Sequence, residues 1–524
     1  MADQKSQPDA RQKAGPARRA GSQSGRQRHG NAGKLRAQLS KVQKLKAPPP
    51  KWGIAAGIVF LVGLVAGLLT QALVANALWM MLRVGWFWIL LSAMVVVVTV
   101  VAFKNRRAGM AALLVVAMVA ALITIGVNRS HQMNQNVIEA SLTFQTDGVM
   151  PSYNSRPPFT VGENQAASHA DTNGVIAETT YIPSDERFGT LVADSGLTTG
   201  YSEVIWQQVT GSGQSTADNC KFNDFKNGFK FDGWFGANLK RAILYKAGPE
   251  SIDPSDAYGV CIDGRATVIV PLRTYRGVIF SYLVPDGVAV IDDNWNVTVD
   301  RDVTPGEYPG PVYPMSLAVQ QRESTIGIGS WWDQVRQRVG YKTTGDNTDE
   351  TNISEFNLAR TDGDGADFVT PLALAGQAQS ISAVGVVASD ENHAGQLNPY
   401  TVVTLAPARQ ANSAVIDRLR SDYGNLQEWA AGMQVYEIIP TGPGTWQATL
   451  GMPKAVIYRA EINADGTSCL YSARTGAKIG CSGDAGAPPP STTDLSGLTD
   501  AELAQLLQQV AAEYQRRCEA AGTC

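Results

Sequence analysis

Residues 108–127 read AGMAALLVVAMVAALITIGV, twenty residues without a single charge. Two more apolar runs precede them, Trp52–Leu82 and Val84–Phe103. Roughly 20 apolar residues in a helix span a hydrocarbon core, where the backbone must satisfy its own hydrogen bonds. The sequence therefore predicts three transmembrane helices over 52–129. The first run is longer than a span requires, so its helix is expected to end near Gln71 or Asn76, with Trp79 and Trp86 near the interface.

Charge, read outward from these runs, is partitioned sharply. The whole chain of 524 residues has a net charge of −3. Residues 1–51 alone carry 13 Lys/Arg against two Asp, 52–129 carry five basic residues and no acid, and 130–524 sum to −19. That partition argues against a simple soluble cytosolic protein. Basic residues flank cytoplasmic membrane ends, so the tail and the Lys104–Arg107 cluster are expected in the cytoplasm. Everything after Arg129 is then expected outside the cell membrane.

The tail itself divides in two. Residues 1–33, rich in Gln, Gly, Ser, Ala and Arg, bury too little apolar surface to offset the entropy of ordering and read as disordered. Over 34–51, Leu35, Leu39, Val42 and Leu45 recur at helical spacing among Lys34, Arg36, Lys41, Lys44 and Lys46. That pattern predicts a basic amphipathic helix contacting an anionic inner leaflet, ended by Pro48–Pro50. No nucleic acid is expected as a partner, because the tail lacks aromatic stacking residues.

All six cysteines, Cys220, Cys261, Cys469, Cys481, Cys518 and Cys524, follow the last apolar run. An even number on one side of the runs argues for disulfides. Cys469 and Cys481 flank an Arg474-Thr475-Gly476 turn and are equidistant from Thr475, so a hairpin would set them opposite each other within bonding reach. Cys220–Cys261 and Cys518–Cys524 follow by elimination. No CxxC occurs and histidines are scarce, so no metal site is expected.

Alternating apolar runs place strands at Ala266–Val270, Gly277–Leu283, Gly287–Ile291 and Asn296–Val299, separated by turn residues. A second set covers Ser380–Ala388, Tyr400–Leu405, Gln434–Ile439, Trp446–Leu450, Ala455–Ile462 and the cysteine hairpin, with a helix at Ser413–Tyr423. The expected fold is three N-terminal transmembrane helices plus an extracytoplasmic α+β region of two small antiparallel-sheet modules, 215–325 and 375–482. An irregular segment, 130–214, precedes the first module, and a helical and loop connector, 326–374, joins the two. A Pro/Gly/Ser linker, 483–497, leads to a C-terminal amphipathic helix, 498–524, with Thr499 and Glu502 as a capping box.

Catalytic motifs are not found: no GxSxG, HExxH, P-loop or dinucleotide fingerprint occurs. Neither catalytic residues nor a cofactor is assigned. Asp362-Gly-Asp364-Gly-Ala-Asp367 places carboxylates at alternate positions, but lacks the order and final Glu of a calcium loop and reads as turns. Trp295 and Trp331-Trp332 read as packing residues before they read as a groove.

Gly277-Val-Ile-Phe280, Asp286-Gly-Val-Ala-Val290 and Tyr313-Pro-Met-Ser-Leu-Ala-Val-Gln-Gln321 resemble stretches in exported domains of uncharacterised multi-pass membrane proteins of actinobacteria and their phages. The resemblance covers the apolar runs and the first sheet module, and it implies no catalytic residue. The tandem modules are also similar in layout to envelope-channel components of conjugation or secretion machines.

The expected function is a membrane-anchored binding or scaffold protein, with a protein partner or self-association through the exterior region or the C-terminal helix. Alternatives are an envelope enzyme acting on cell-wall or lipid substrates and a secretion or conjugation channel component. A cleft gathering carboxylates would favour an enzyme; an exposed apolar patch would favour binding.

Overall fold

The computed structural model describes residues 57–65, 85–97 and 108–482, apart from 147–148, 172–173, 210–215, 249, 278, 326–339, 344–354, 364 and 376–379. The chain divides into two compact units, Met1–Ala66 and Gly67–Cys524. The described part of the first is a helix at 57–65. All that follows concerns the second.

The expectation of three membrane spans is corrected here. Among the described residues no helix is long and apolar enough to cross a membrane. The helix that begins at the quoted stretch, α1 (Ala108–Glu139), runs 32 residues. Its sequence is apolar up to Val127 and polar from Asn128 through Arg129, Ser130 and His131. The expected multi-pass transmembrane topology, and with it a cell-membrane location with an extracytoplasmic C-terminal region, loses its support with the spans. Lys34, Arg36, Lys41, Lys44, Lys46, Cys518 and Cys524 lie outside the described residues.

The polar half of α1 is docked on protein. Asn134 Oδ1 accepts from Leu283 N at 2.6 Å and Ser130 Oγ from Ser281 N at 3.3 Å. Trp88, in the 85–97 helix, donates to the Ile279 carbonyl at 3.0 Å. The apolar half keeps Val116 and Val127 about two-thirds exposed.

The fold is mostly β-sheet with few helices, which also corrects the expected α+β balance. The first sheet is an antiparallel meander of β2 (Gly174–Ile182), β3 (Arg187–Asp194), β4 (Tyr201–Gln208) and β5 (Thr216–Lys221). It occupies much of a segment whose sequence reads as irregular, because Ala177, Glu178 and Gly189 dilute the β-branched pattern. The second sheet orders β6 (Tyr258–Ile262), β7 (Arg265–Arg276), β8 (Tyr282–Ile291) and β9 (Val297–Asp300). These two sheets face each other. A β-carbon on Gly189 would collide with the Gly259 carbonyl, so only glycine permits that approach. Between them lies a core of Leu191, Val204, Val268 and Ala289, closed by α3 (Leu239–Ala247). The outer face of the first sheet carries α2 (Phe159–His169), whose Ala166 packs on Val192 and Ile205.

Several strand boundaries differ from the sequence reading: Gly277–Leu283, read as a strand, falls mostly in the connection before β8 begins at Tyr282. Arg273–Arg276 is not a turn but the end of β7, and Pro285-Asp286-Gly287 lies inside β8. The ladder shifts register between Pro271 and Arg273, opposite Pro285, and Gly287 takes φ +83. Turn-forming residues here serve an irregularity inside long strands, not a chain reversal.

The third sheet orders β1 (Leu142–Gln145), β16 (Tyr400–Arg409), β14 (Ile381–Ala388), β13 (Ala366–Leu374) and β11 (Tyr341–Thr343), with β12 (Phe356–Ala359) also paired to β13. The fourth is a five-stranded meander: β17 (Gln434–Pro440), β18 (Thr445–Met452), β19 (Ala455–Asn463), β20 (Ser468–Ser472) and β21 (Lys478–Cys481). In β19, Val456, Tyr458, Ala460 and Ile462 are buried in strict alternation, the period of two expected of a half-covered strand. These two sheets and the helix Asn412–Asp422 share one core around Val403, Leu419, Trp446 and Leu450. Helix α4 (Met315–Ser324) packs Leu317 and Ala318 against Val402 and Leu372 of the third sheet.

Candidate functional site

Strand β2 is the edge of the first sheet: no other described strand pairs along its far side. Two clefts run along that edge. The one of about 390 Å³ is lined by Val175–Glu178, with Lys230, Phe231 and Pro254 opposite. The one of about 160 Å³ continues along Glu178–Tyr181, facing Asp256, Tyr313, Met315, Glu355 and Phe368. Glu178 lines both, so the two clefts adjoin beside the edge strand.

The groove wall is held by charged groups that are mostly committed to structure. Asp256 accepts from Ser316 N at 2.8 Å and from the Ser316 hydroxyl, holding the first turn of α4, where backbone donors lack helical partners. Burial, only partly opposed by Arg273, raises its carboxyl to about 6. Glu355 pairs with Arg322. At the far end Asn357 Nδ2 donates to the Tyr181 carbonyl at 3.3 Å, closing the edge.

Arg156, also on this wall, lies 3.1 Å from Glu437 and places its guanidinium 5.6 Å from the Tyr181 ring and 5.4 Å from the Phe356 ring. Burial raises the Glu437 carboxyl, while Arg156 opposes the shift.

Glu178 differs from its neighbours. Among the described residues it forms no ion pair. Burial, reinforced by the negative charges of Glu163, Asp256 and Asp253, pushes its carboxyl up to about 8. At neutral pH it is therefore mostly protonated and can donate a hydrogen bond to whatever enters the groove.

The cysteines lie elsewhere. Cys220 on β5 is disulfide-bonded to Cys261 on β6, tying the first sheet to the second. Cys469 and Cys481 face each other across the β20–β21 hairpin and are bonded. Trp295 stacks on Phe222 with centroids 4.7 Å apart and donates to the Asn223 carbonyl, a packing role; Trp331-Trp332 lies outside the described residues. In the acidic Gly-rich loop, Asp367 is fully buried and bonded to Arg360 and to the Tyr153 hydroxyl. It is committed to the core and is not presented to a cation.

Sequence reading marks only Thr179–Ile182 as strand-like and assigns the groove no residue. The available signal was a carboxylate, Glu178, on the run that leads into those β-branched residues. It becomes a site only when Asp256, Tyr313 and Glu355, from three distant segments, form the opposite wall.

Among the described residues, the fold and clefts define a β-rich protein stapled by two disulfides, with a sheet edge to which no other described strand pairs. No family model matches the chain, and neither a curated protein nor a solved structure matches it.

Proposed function

We propose that this chain is a binding or scaffold protein that receives an extended segment of a partner along β2. The observation that carries the reading is a nine-residue edge strand to which no other described strand pairs, with two clefts lined by its residues. Edge strands offer free main-chain donors and acceptors, and natural proteins usually blunt them. A strand added there gains ladder hydrogen bonds, and pockets for alternate side chains supply selectivity. The apolar wall of Tyr313, Met315 and Phe368 suits one such side chain.

The test is selection of random ten-residue peptides on the full chain, followed by amide hydrogen exchange. Selected peptides should slow exchange within 174–182 at least tenfold and leave 434–481 unchanged. Protection confined to another region, or no binders at all, would refute the reading.

A second reading, general acid–base catalysis, is supported by the Glu178 carboxyl near 8 inside a cleft, a value suited to proton transfer at neutral pH. It predicts that Glu178→Gln abolishes turnover of some substrate. The binding reading predicts that the variant still selects and protects the same peptides.

A further inference from the structure

The core shared by the third and fourth sheets contains a cavity of about 170 Å³. Its floor is apolar: Ile381, Val415, Ile438, Trp446 and Ile462 all line it and all are buried. Its mouth is formed by exposed residues, Gln410 at the end of β16 and Asn463–Asp465 in the turn after β19. No residue of β2 lines it, so this cavity is separate from the clefts described above.

Two side chains in its wall carry donors with nothing to donate to. Trp446 is only 4% exposed, and its indole Nε1 has no acceptor among the described residues. A buried indole N–H usually finds one. Arg409, the last residue of β16, donates from Nη2 to the Pro443 carbonyl at 3.1 Å. Its Nε and Nη1 are shut off from solvent and also have no acceptor among the described residues. Burial lowers the pKa of this guanidinium, and no neighbouring acid opposes the shift.

The carboxylate at the mouth does not answer these donors. Asp465 accepts from Thr467 N at 2.8 Å and from the Thr467 hydroxyl at 2.6 Å, and it forms no ion pair with Arg409. A buried donor without an acceptor and a desolvated charge without a counter-charge are both costly. When they meet in one cavity, an incoming anion satisfies both. The helix Asn412–Asp422 starts beside the mouth and has no side-chain cap, so the partial positive charge of its first turn adds to the attraction.

We propose that this cavity binds a small monocarboxylic acid, with the carboxylate held by Arg409 and the Trp446 indole N–H and a short apolar chain lying against Ile438 and Ile462. The donors select an anion. The apolar floor selects a carboxylate with a hydrocarbon chain over inorganic phosphate, which has no apolar surface to bury. The volume lies below the roughly 300–1,000 Å³ of sites for drug-sized ligands, so the occupant is small.

The test is an NMR titration of the full chain with isotope-labelled tryptophan, the Trp446 indole resonance being assigned with Trp446→Phe. Hexanoate should move that resonance saturably. Hexanamide, which keeps the chain and loses the charge, and inorganic phosphate, which keeps a charge and loses the chain, should each bind at least tenfold more weakly. Arg409→Gln should weaken hexanoate binding at least tenfold and leave the melting temperature without ligand unchanged or higher, because it removes a buried charge that has no partner. A lower melting temperature would show that Arg409 is already satisfied within the fold and would overturn the proposal. So would no response to hexanoate, equal binding of hexanamide or phosphate, or undiminished binding by Arg409→Gln.

Discussion

Arg156 and Glu437 form an ion pair at 3.1 Å with only 4% and 3% of their side chains exposed, joining the groove wall to β17 of the fourth sheet. Glu437 also accepts from Phe159 N at 2.9 Å, so one carboxylate fixes both the guanidinium and the start of α2. Removing one partner of a buried pair strands the other charge, whereas replacing both with apolar groups is often neutral. Arg156→Met should therefore cost about 3–5 kcal/mol in denaturant unfolding. The double variant Arg156→Met/Glu437→Leu should recover most of that loss. A double variant as unstable as the single one would show that the pair is not coupled.

The raised Glu178 carboxyl makes stability depend on pH. Its ordinary value is 4.5 and its folded value about 8. Below 4.5 the group is protonated in both states and costs nothing. Between 4.5 and 8 the unfolded chain releases the proton while the folded chain retains it, so stability falls as pH rises and levels off above 8. Glu178→Gln should match the wild type near pH 4 and exceed it by about 2 kcal/mol near pH 8, a figure discounted for partial solvent access. Residual pH dependence should remain, since burial raises the Glu250 carboxyl to about 8 as well. Equal stability differences at both pH values would contradict the assignment.

The two disulfides should differ in what their loss costs. Cys220–Cys261 closes a separation of 41 residues and Cys469–Cys481 one of 12. Loop-closure entropy then assigns about 4 kcal/mol to the first and about 3 to the second. Thermal unfolding of Cys220→Ser/Cys261→Ser and of Cys469→Ser/Cys481→Ser measures the order. The first pair of substitutions should also loosen the contact between two sheets, while the second affects a single hairpin at the edge of the fourth sheet.

The strands of the fourth sheet are where the alternation of Gln434–Ile439, Trp446–Leu450 and Ala455–Ile462 predicts them. They are consecutive, so each pairs with its chain neighbour, and local pattern suffices. Strand β2 shows the opposite case. Five of its nine residues are β-branched, but Gly174, Ala177 and Glu178 interrupt them and its ladder with β3 shifts register between Ile176 and Glu178, so local pattern marks only its second half as strand-like.

Long-range pairings were equally hidden. Leu142–Gln145 pairs in parallel with Tyr400–Val403, more than 250 residues away, and no local signal encodes such a contact. The apolar runs at 52–129 predict spans by hydropathy alone, whereas among the described residues no helix is long and apolar enough to cross a membrane.

The sequence by itself determined the charge partition, the consecutive hairpins and the Cys469–Cys481 facing pair, because each depends on composition or on residues within one turn of chain. Tertiary structure alone decided the rest: the two facing sheets, the clefts beside β2 and the raised Glu178 carboxyl. Those depend on burial and on walls contributed by distant segments. A carboxyl's proton affinity and a strand's free edge are properties of surroundings, and surroundings exist only once the chain has folded.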